Sequence, residues 1–225
     1  GKPGPRKAGL YDPASLGEFC SLSSDQAGDV ILLVYPHEDP RRIMKFRTVG
    51  TFEQDYLCNT HYGGGGVLDP IDKSRLWYKD CLFEIDWAKG TSRLKALVSL
   101  KYWEASPWSD SFRGDWAPIQ YKNRLYLVTA QQVLGPTMPV GTVYVVDEKA
   151  CTVRMAAAMG AAAAFPYLKT PEALDKVGGK PMGEFNFIWT DRNGDGELQV
   201  AEVQFLPRAK DVPGLGPFDR DLGTM

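Results

Sequence analysis

The chain has 225 residues, 44% of them hydrophobic and 24% charged, which is enough apolar content for a real core and too much for a disordered chain. Its 26 basic and 28 acidic residues leave a formal charge of −2, so no positive field is available to hold a phosphate backbone, and nucleic acid is set aside as a partner. The longest apolar stretch, 155–165, is about half the roughly 20 residues that a helix needs to cross a bilayer, so no membrane span is expected.

In chain order, Gly1-Lys2-Pro3-Gly4-Pro5-Arg6-Lys7 opens a segment, 1–28, that reads as an arm or linker. No signal peptide is legible and residue 1 is Gly, so the chain reads as a mature or excised piece of something longer. From 29 to 206, short apolar runs separated by Gly- and Pro-rich turns predict strands, and the fold class is all-β. Three runs share one pattern. Leu32-Leu33-Val34-Tyr35, Leu82-Phe83-Glu84-Ile85-Asp86 and Tyr144-Val145-Val146-Asp147 are each followed seven residues after their last member by an arginine, at Arg42, Arg93 and Arg154. Each copy predicts a β-hairpin whose second strand opens on arginine. A second pair, Arg75-Leu76-Trp77-Tyr78 and Arg124-Leu125-Tyr126-Leu127, precedes the last two copies and gives a repeat of about 50 residues, the size of a propeller blade.

Those hairpins resemble the NHL and quinoprotein-like β-propellers of extracellular bacterial proteins, in which each blade carries a strand ending in Asp, a turn and an Arg-apolar strand. The resemblance spans 30–206 and implies a propeller, or a propeller segment, of about four blades. Tyr35 in place of Asp is a departure in the first copy. A β-sandwich or an irregular all-β domain is the alternative, since hairpins recur there too.

One motif is sharp. Asp191-Arg192-Asn193-Gly194-Asp195-Gly196-Glu197-Leu198-Gln199-Val200-Ala201-Glu202 has the spacing of an EF-hand calcium loop. Calcium takes about six to eight hard oxygens, and this order offers them in turn. Asp191, Asn193 and Asp195 supply side-chain oxygens, Glu197 its carbonyl, Gln199 a direct or water-mediated oxygen, and Glu202 closes with a bidentate carboxylate. Gly196 permits the sharp turn, and Leu198 is the apolar position that packs inward. The flanks are not helical: Phe185-Asn186-Phe187-Ile188-Trp189 alternates as a strand does, and Pro207 ends the short run after Glu202. Such a loop cannot swing two helices apart as a calcium sensor does, so its expected role is a clip between strands. Pro171-Glu172-Ala173-Leu174-Asp175-Lys176-Val177 predicts one short helix stopped by Gly178, and a helix before Phe165 competes with a strand for the alanines at 156–164.

Other signals are weaker. The stretch 102–116 carries Trp103, Trp108, Asp110, Arg113, Asp115 and Trp116, a set suited to stacking on a glycan or other polar ligand and equally to filling a gap between blades. Cys20, Cys58, Cys81 and Cys151 are even in number and far apart, which predicts two disulfides in an oxidising compartment against four buried thiols. His37 and His61 are the two histidines, too few for a triad, and neither G-x-S-x-G nor H-E-x-x-H occurs. Together these features predict a secreted, extracellular or periplasmic, calcium-stabilised propeller module acting in binding or assembly without catalysis. Self-assembly, other protein chains and glycans are its partner classes. The competing expectation is a segment of a secreted propeller enzyme, an oxidoreductase or a glycan-degrading one.

Overall fold

The computed structural model of the chain describes residues 7–17, 19–34, 41–57, 66–78, 81–98, 117–128, 140–208 and 221–222. Among these residues the fold is all-β, with fifteen strands in three antiparallel sheets and one α-helix, and none of the sheets closes on itself. In the first sheet β2 (Phe19–Ser24), β3 (Val30–Val34), β4 (Arg42–Phe46) and β5 (Phe52–Leu57) follow one another as neighbours. The second repeats that up-and-down order with β6 (Val67–Leu68), β7 (Arg75–Tyr78), β8 (Cys81–Asp86) and β9 (Thr91–Leu97). The third holds β10 (Ala117–Tyr121), β11 (Arg124–Val128), β12 (Val140–Asp147) and β13 (Thr152–Ala161), extended by β14 (Phe185–Thr190) and β15 (Val203–Pro207). Short loops produce such sequential meanders, because an antiparallel neighbour is the partner a tight turn can reach.

Period-two patterning sets which side chains go inward. In β4, Arg42, Met44 and Phe46 are buried while Ile43 and Lys45 are not. In β11, Leu125 and Leu127 enter the core between the second and third sheets, and Tyr126 and Val128 turn to the opposite face. The core between those sheets joins Trp77, Leu82, Ala96 and Val98 of the second to Leu125, Leu127, Tyr144, Val146 and Cys151 of the third. On the outer half of the third sheet, Phe187 and Trp189 pack with Phe165, Leu168, Val200 and Val203. There the rings of Phe165 and Phe187 stack at 4.8 Å.

Two of the three expected arginine hairpins share one geometry. Arg93 stands opposite Glu84, two residues before Asp86, and Arg154 stands opposite Val145, two before Asp147. In both, the Asp caps the turn through its own side chain. Asp86 Oδ1 accepts the amide of Lys89 at 3.1 Å, and Asp147 Oδ1 accepts those of Lys149 and Ala150 at 3.0 and 2.9 Å. Gly90 (φ 64°) and Cys151 (φ 54°) take the same left-handed place before the second strand. The first copy differs. Arg42 faces Val34, and β3–β4 joins the second and third strands of its sheet, where the other two hairpins join the third and fourth.

The segment expected to be an arm contains strands where it is described. β1 (Gly9–Leu10) pairs with the outer edge of β9 in the second sheet, while β2 belongs to the first. Between them, residues 11–15 are fastened to the first sheet by Arg42, whose Nη1 donates to Tyr11 Oη at 3.1 Å and to the Pro13 carbonyl at 3.0 Å, and whose Nη2 reaches the Ser15 carbonyl. Asp55 of β5 lies 3.7 Å from the same guanidinium and accepts the Tyr11 hydroxyl, and burial with that carboxylate pushes the Tyr11 phenol well above its ordinary range. Arg42→Lys keeps the charge and loses the fork. It is expected to cost about 1.5–3 kcal/mol, the worth of charged hydrogen bonds, read as a lower urea midpoint with an unchanged slope.

The expected disulfides are corrected by the structure. Among the described residues no disulfide forms, and Cys81 and Cys151 are buried thiols. Cys81 packs with Leu94, Leu97 and Tyr11, whereas Cys151 fills the core between the second and third sheets, so each thiol serves as a small apolar side chain in a different cluster. Cys58 lies outside the described residues, as does the side chain of Cys20. The alanines extend β13 to Ala161 before a single 3-10 turn at Ala162–Ala164, and the short helix forms as α1 (Pro171–Lys176), capped by Thr170. Among the described residues no helix is long and apolar enough to cross a membrane.

Acid should weaken the second sheet. Hydrogen bonding from Lys95, then from Arg93, holds the Glu84 carboxyl below its ordinary range, and the Ser74 hydroxyl and amide do the same for Asp72. A depressed carboxyl contributes stability above its unfolded value, about 4, and that contribution is lost as pH falls through the lower folded one. The thermal midpoint should therefore hold from about pH 7 to 5 and drop below about pH 4. A midpoint still level near pH 3 would contradict this.

Candidate metal centre

The twelve residues 191–202 form the connection between β14 and β15, a hairpin in which Trp189 stands opposite Val203. No helix pair flanks them: a strand leads in, and a 3-10 turn at Val200–Glu202 passes directly into β15. β13 sets where the loop begins. A register shift opposite Val143 and Tyr144 leaves Ala156 without a partner in β12, and its carbonyl accepts the Asp191 amide at 3.0 Å.

Inside the loop, the residues chosen for their oxygens hold the backbone curl. Asp191 accepts the amides of Gly194 at 2.8 Å and Gly196 at 3.0 Å, one on each carboxylate oxygen. Asn193 Oδ1 accepts the Asp195 amide at 3.0 Å, and Asp195 Oδ1 accepts that of Glu197 at 2.8 Å. Glu202 reaches back to take the Arg192 amide at 3.0 Å on one oxygen and the indole Nε1–H of Trp189 at 3.1 Å on the other. These are the side chains at positions 1, 3, 5 and 12, and together they hold the curl of the loop by bonding its own amides. Gly194 and Gly196 sit at φ 84° and 76°, which residues with a Cβ rarely adopt. The apolar Leu198 packs against the Phe187–Trp189 cluster, as its position predicts. From outside, Lys176 at the end of α1 donates to the carbonyls of Val200 at 2.7 Å and Ala201 at 3.2 Å.

The electrostatics of the loop involve one partner that the motif does not contain. Arg154 of β13 makes an ion pair through Nη1 with Asp191 Oδ2, and the Asp191 side chain is fully buried. The Glu197 amide, then the side-chain amides of Asn193 and Gln199 and the charge of Arg154, hold the Asp195 carboxyl below its ordinary range. Gln199 donates to Asp195 Oδ2 at 2.8 Å, while its own Oε1 is buried without a hydrogen-bond partner. Among the described residues no three Asp, Glu, His or Cys side chains are gathered as around an ion. The acids are instead turned onto loop amides, the Trp189 indole and the guanidinium.

The aromatic set Trp103, Trp108, Asp110, Arg113, Asp115 and Trp116 lies outside the described residues, as do His37 and His61. Arg154 and Trp189 are the residues that reading the motif alone passes over. Trp189 is the last apolar residue before the loop, and Arg154 belongs to the hairpin pattern, so both carried a signal that pointed to packing rather than to the site.

Set beside known proteins, the chain matches no protein family, no curated protein and no solved structure, so what it does is argued from its own residues.

Proposed function

We propose that the chain is a calcium-stabilised extracellular β-propeller module, complete or a segment of about four blades, that acts in binding or assembly and not as a catalyst. The observation that carries this reading is the loop between β14 and β15. Side chains at positions 1, 3, 5 and 12 hold the curl of the loop by accepting its own amides, so part of the ordering cost of an ion site would fall on folding rather than on binding. Asp191, Asn193, Asp195 and Glu202 would hold the ion by side-chain oxygens, Glu197 by its carbonyl, and Gln199 by the Oε1 that now lacks a partner. Bound there, calcium would tie β14, β15 and the bulge of β13 into one unit.

Three successive antiparallel meanders of four or more strands, two of which pack through a shared apolar core, support the propeller. The edges support assembly: β5 borders the first sheet and leaves Tyr56 and Leu57 exposed, and β15 borders the third with Leu206 exposed. The extracellular setting rests on the loop, because the Cys81 and Cys151 thiols take two of the four cysteines out of the disulfide argument; calcium loops of extracellular modules work at about 0.1–1 mM. The test is amide exchange over 190–203 with calcium and with a chelator, beside calorimetry on stripped protein. Calcium is expected to slow exchange across the loop and the ends of β14 and β15. Equal protection and no heat of binding would refute the calcium reading. Light scattering behind size exclusion, run in both states, reports assembly.

A further inference from the structure

The arginine of the third hairpin breaks the pattern of the second. Arg93 meets Glu84 directly across the ladder, makes its ion pair there and leaves its side chain 75% exposed. At the equivalent place opposite Arg154 stands Val145, which offers no charge. Arg154 pairs instead on the β14 side of its own strand, and its side chain, 39% exposed, lays its Nη1 on the buried Asp191 at position 1 of the loop. The fit is close. A Cβ added at Gly196 would come within 2.4 Å of Arg154 Cγ and 3.0 Å of Cδ, so the glycine at position 6 makes room for this side chain as well as for the turn. Arg154 also lines an open groove of about 520 Å³ with Asp147 and Glu148, where Glu148 already pairs with Arg75 and Asp147 accepts the Lys149 and Ala150 amides.

We infer that Arg154 is the built-in counter-cation of this loop: it neutralises Asp191 when the ion is absent, and calcium displaces it from that carboxylate. The inference rests on the calcium reading above and adds a regulator to it. One cation is exchanged for another at the same carboxylate, so the arginine stabilises the metal-free fold and lowers calcium affinity by the same interaction. Asp191, Asp195 and Glu202 then avoid mutual repulsion in both states.

The full chain is stripped with a chelator, and calcium chloride is titrated by calorimetry into wild type and Arg154→Gln, with thermal midpoints recorded in chelator and in saturating calcium. R154Q is expected to bind calcium about tenfold more tightly, the factor given by losing one competing ion pair of about 1.4 kcal/mol, and to lower the midpoint in chelator far more than in calcium. A side chain that merely packs would lower both midpoints alike. If R154Q does not fold, Arg154→Lys carries the test, because its ammonium sits on a shorter stem than the Nη1 that pairs with Asp191 and should also tighten binding. Tighter binding by either variant, or binding by a variant where wild type shows none, supports the inference. Equal or weaker binding, with wild type still binding, overturns it and leaves the calcium reading standing. No heat from any of the proteins sinks both.

Discussion

Asp69→Ala is expected to remove about 3–5 kcal/mol of stability, the scale seen when a buried charge is deleted from its partners. Asp69 is 2% exposed and saturated. Its Oδ1 accepts the amides of Ile71 and Asp72 at 2.9 and 3.1 Å, Oδ2 accepts the Trp77 indole N–H at 3.1 Å, and the Arg75 guanidinium lies 4.0 Å away. Trp77, 1% exposed, is the largest side chain in the core between the second and third sheets. The alanine leaves a buried indole N–H without an acceptor, about 1–3 kcal/mol by itself, and also frees the turn that leads into β7. Asp69→Asn keeps one acceptor oxygen and should cost less. Urea unfolding followed by tryptophan fluorescence measures both. A loss below about 1 kcal/mol for the alanine would mean that this carboxylate does not hold the junction between the sheets.

The second large effect is the loss of calcium stabilisation in Glu202→Gln. Any ligand bound only by the folded state stabilises it by an amount set by its concentration over Kd, about 2.7 kcal/mol at one hundred times Kd. Glu202 is the closing residue, and both of its oxygens already sit in the loop, on Arg192 and on Trp189. Glutamine keeps an acceptor for one of these contacts, so the metal-free fold should survive, but it removes the charge and the bidentate grip that calcium needs. Unfolding curves of E202Q in calcium and in chelator should coincide, while those of wild type separate. Because the Trp189 indole donates to the same carboxylate, its fluorescence should shift on adding calcium to wild type and stay constant in E202Q. Wild-type curves that coincide as well would refute the calcium reading itself.

Most of the architecture was legible where the signal is local. Alternation in β4 and β11, the turn-capping aspartates at 86 and 147, the Pro-led helix α1 and the strand ahead of the loop depend on residues within one or two turns of each other. Those choices are made by backbone sterics and side-chain-to-backbone bonds that any window of sequence contains. The twelve-residue loop is of the same kind, since its curl is made by its own side chains bonding its own amides.

The features that failed to show in advance depend on contacts between distant segments. Two disulfides were a fair expectation from four separated cysteines, yet Cys81 and Cys151 went into different apolar clusters, and no spacing along a chain reveals which face of which sheet a thiol will meet. The opening segment reads as an arm, but Arg42 and the edge of β9 recruit residues 9–15 to two sheets at once. The first arginine hairpin shares its seven-residue step with the others and still lands in a different register, because a step counts residues and a ladder counts opposed pairs.

The all-β class, the strand-flanked loop and the order of its oxygens are thus written in neighbouring residues and need nothing from elsewhere in the chain. The turn of Arg154 away from its own hairpin to Asp191, the brace of Trp189 on Glu202 and the burial of the two thiols came only with three-dimensional packing. Those outcomes are set by which strands become neighbours, and β14 becomes the neighbour of β13 through burial of Phe187 and Trp189 against residues far away in the chain.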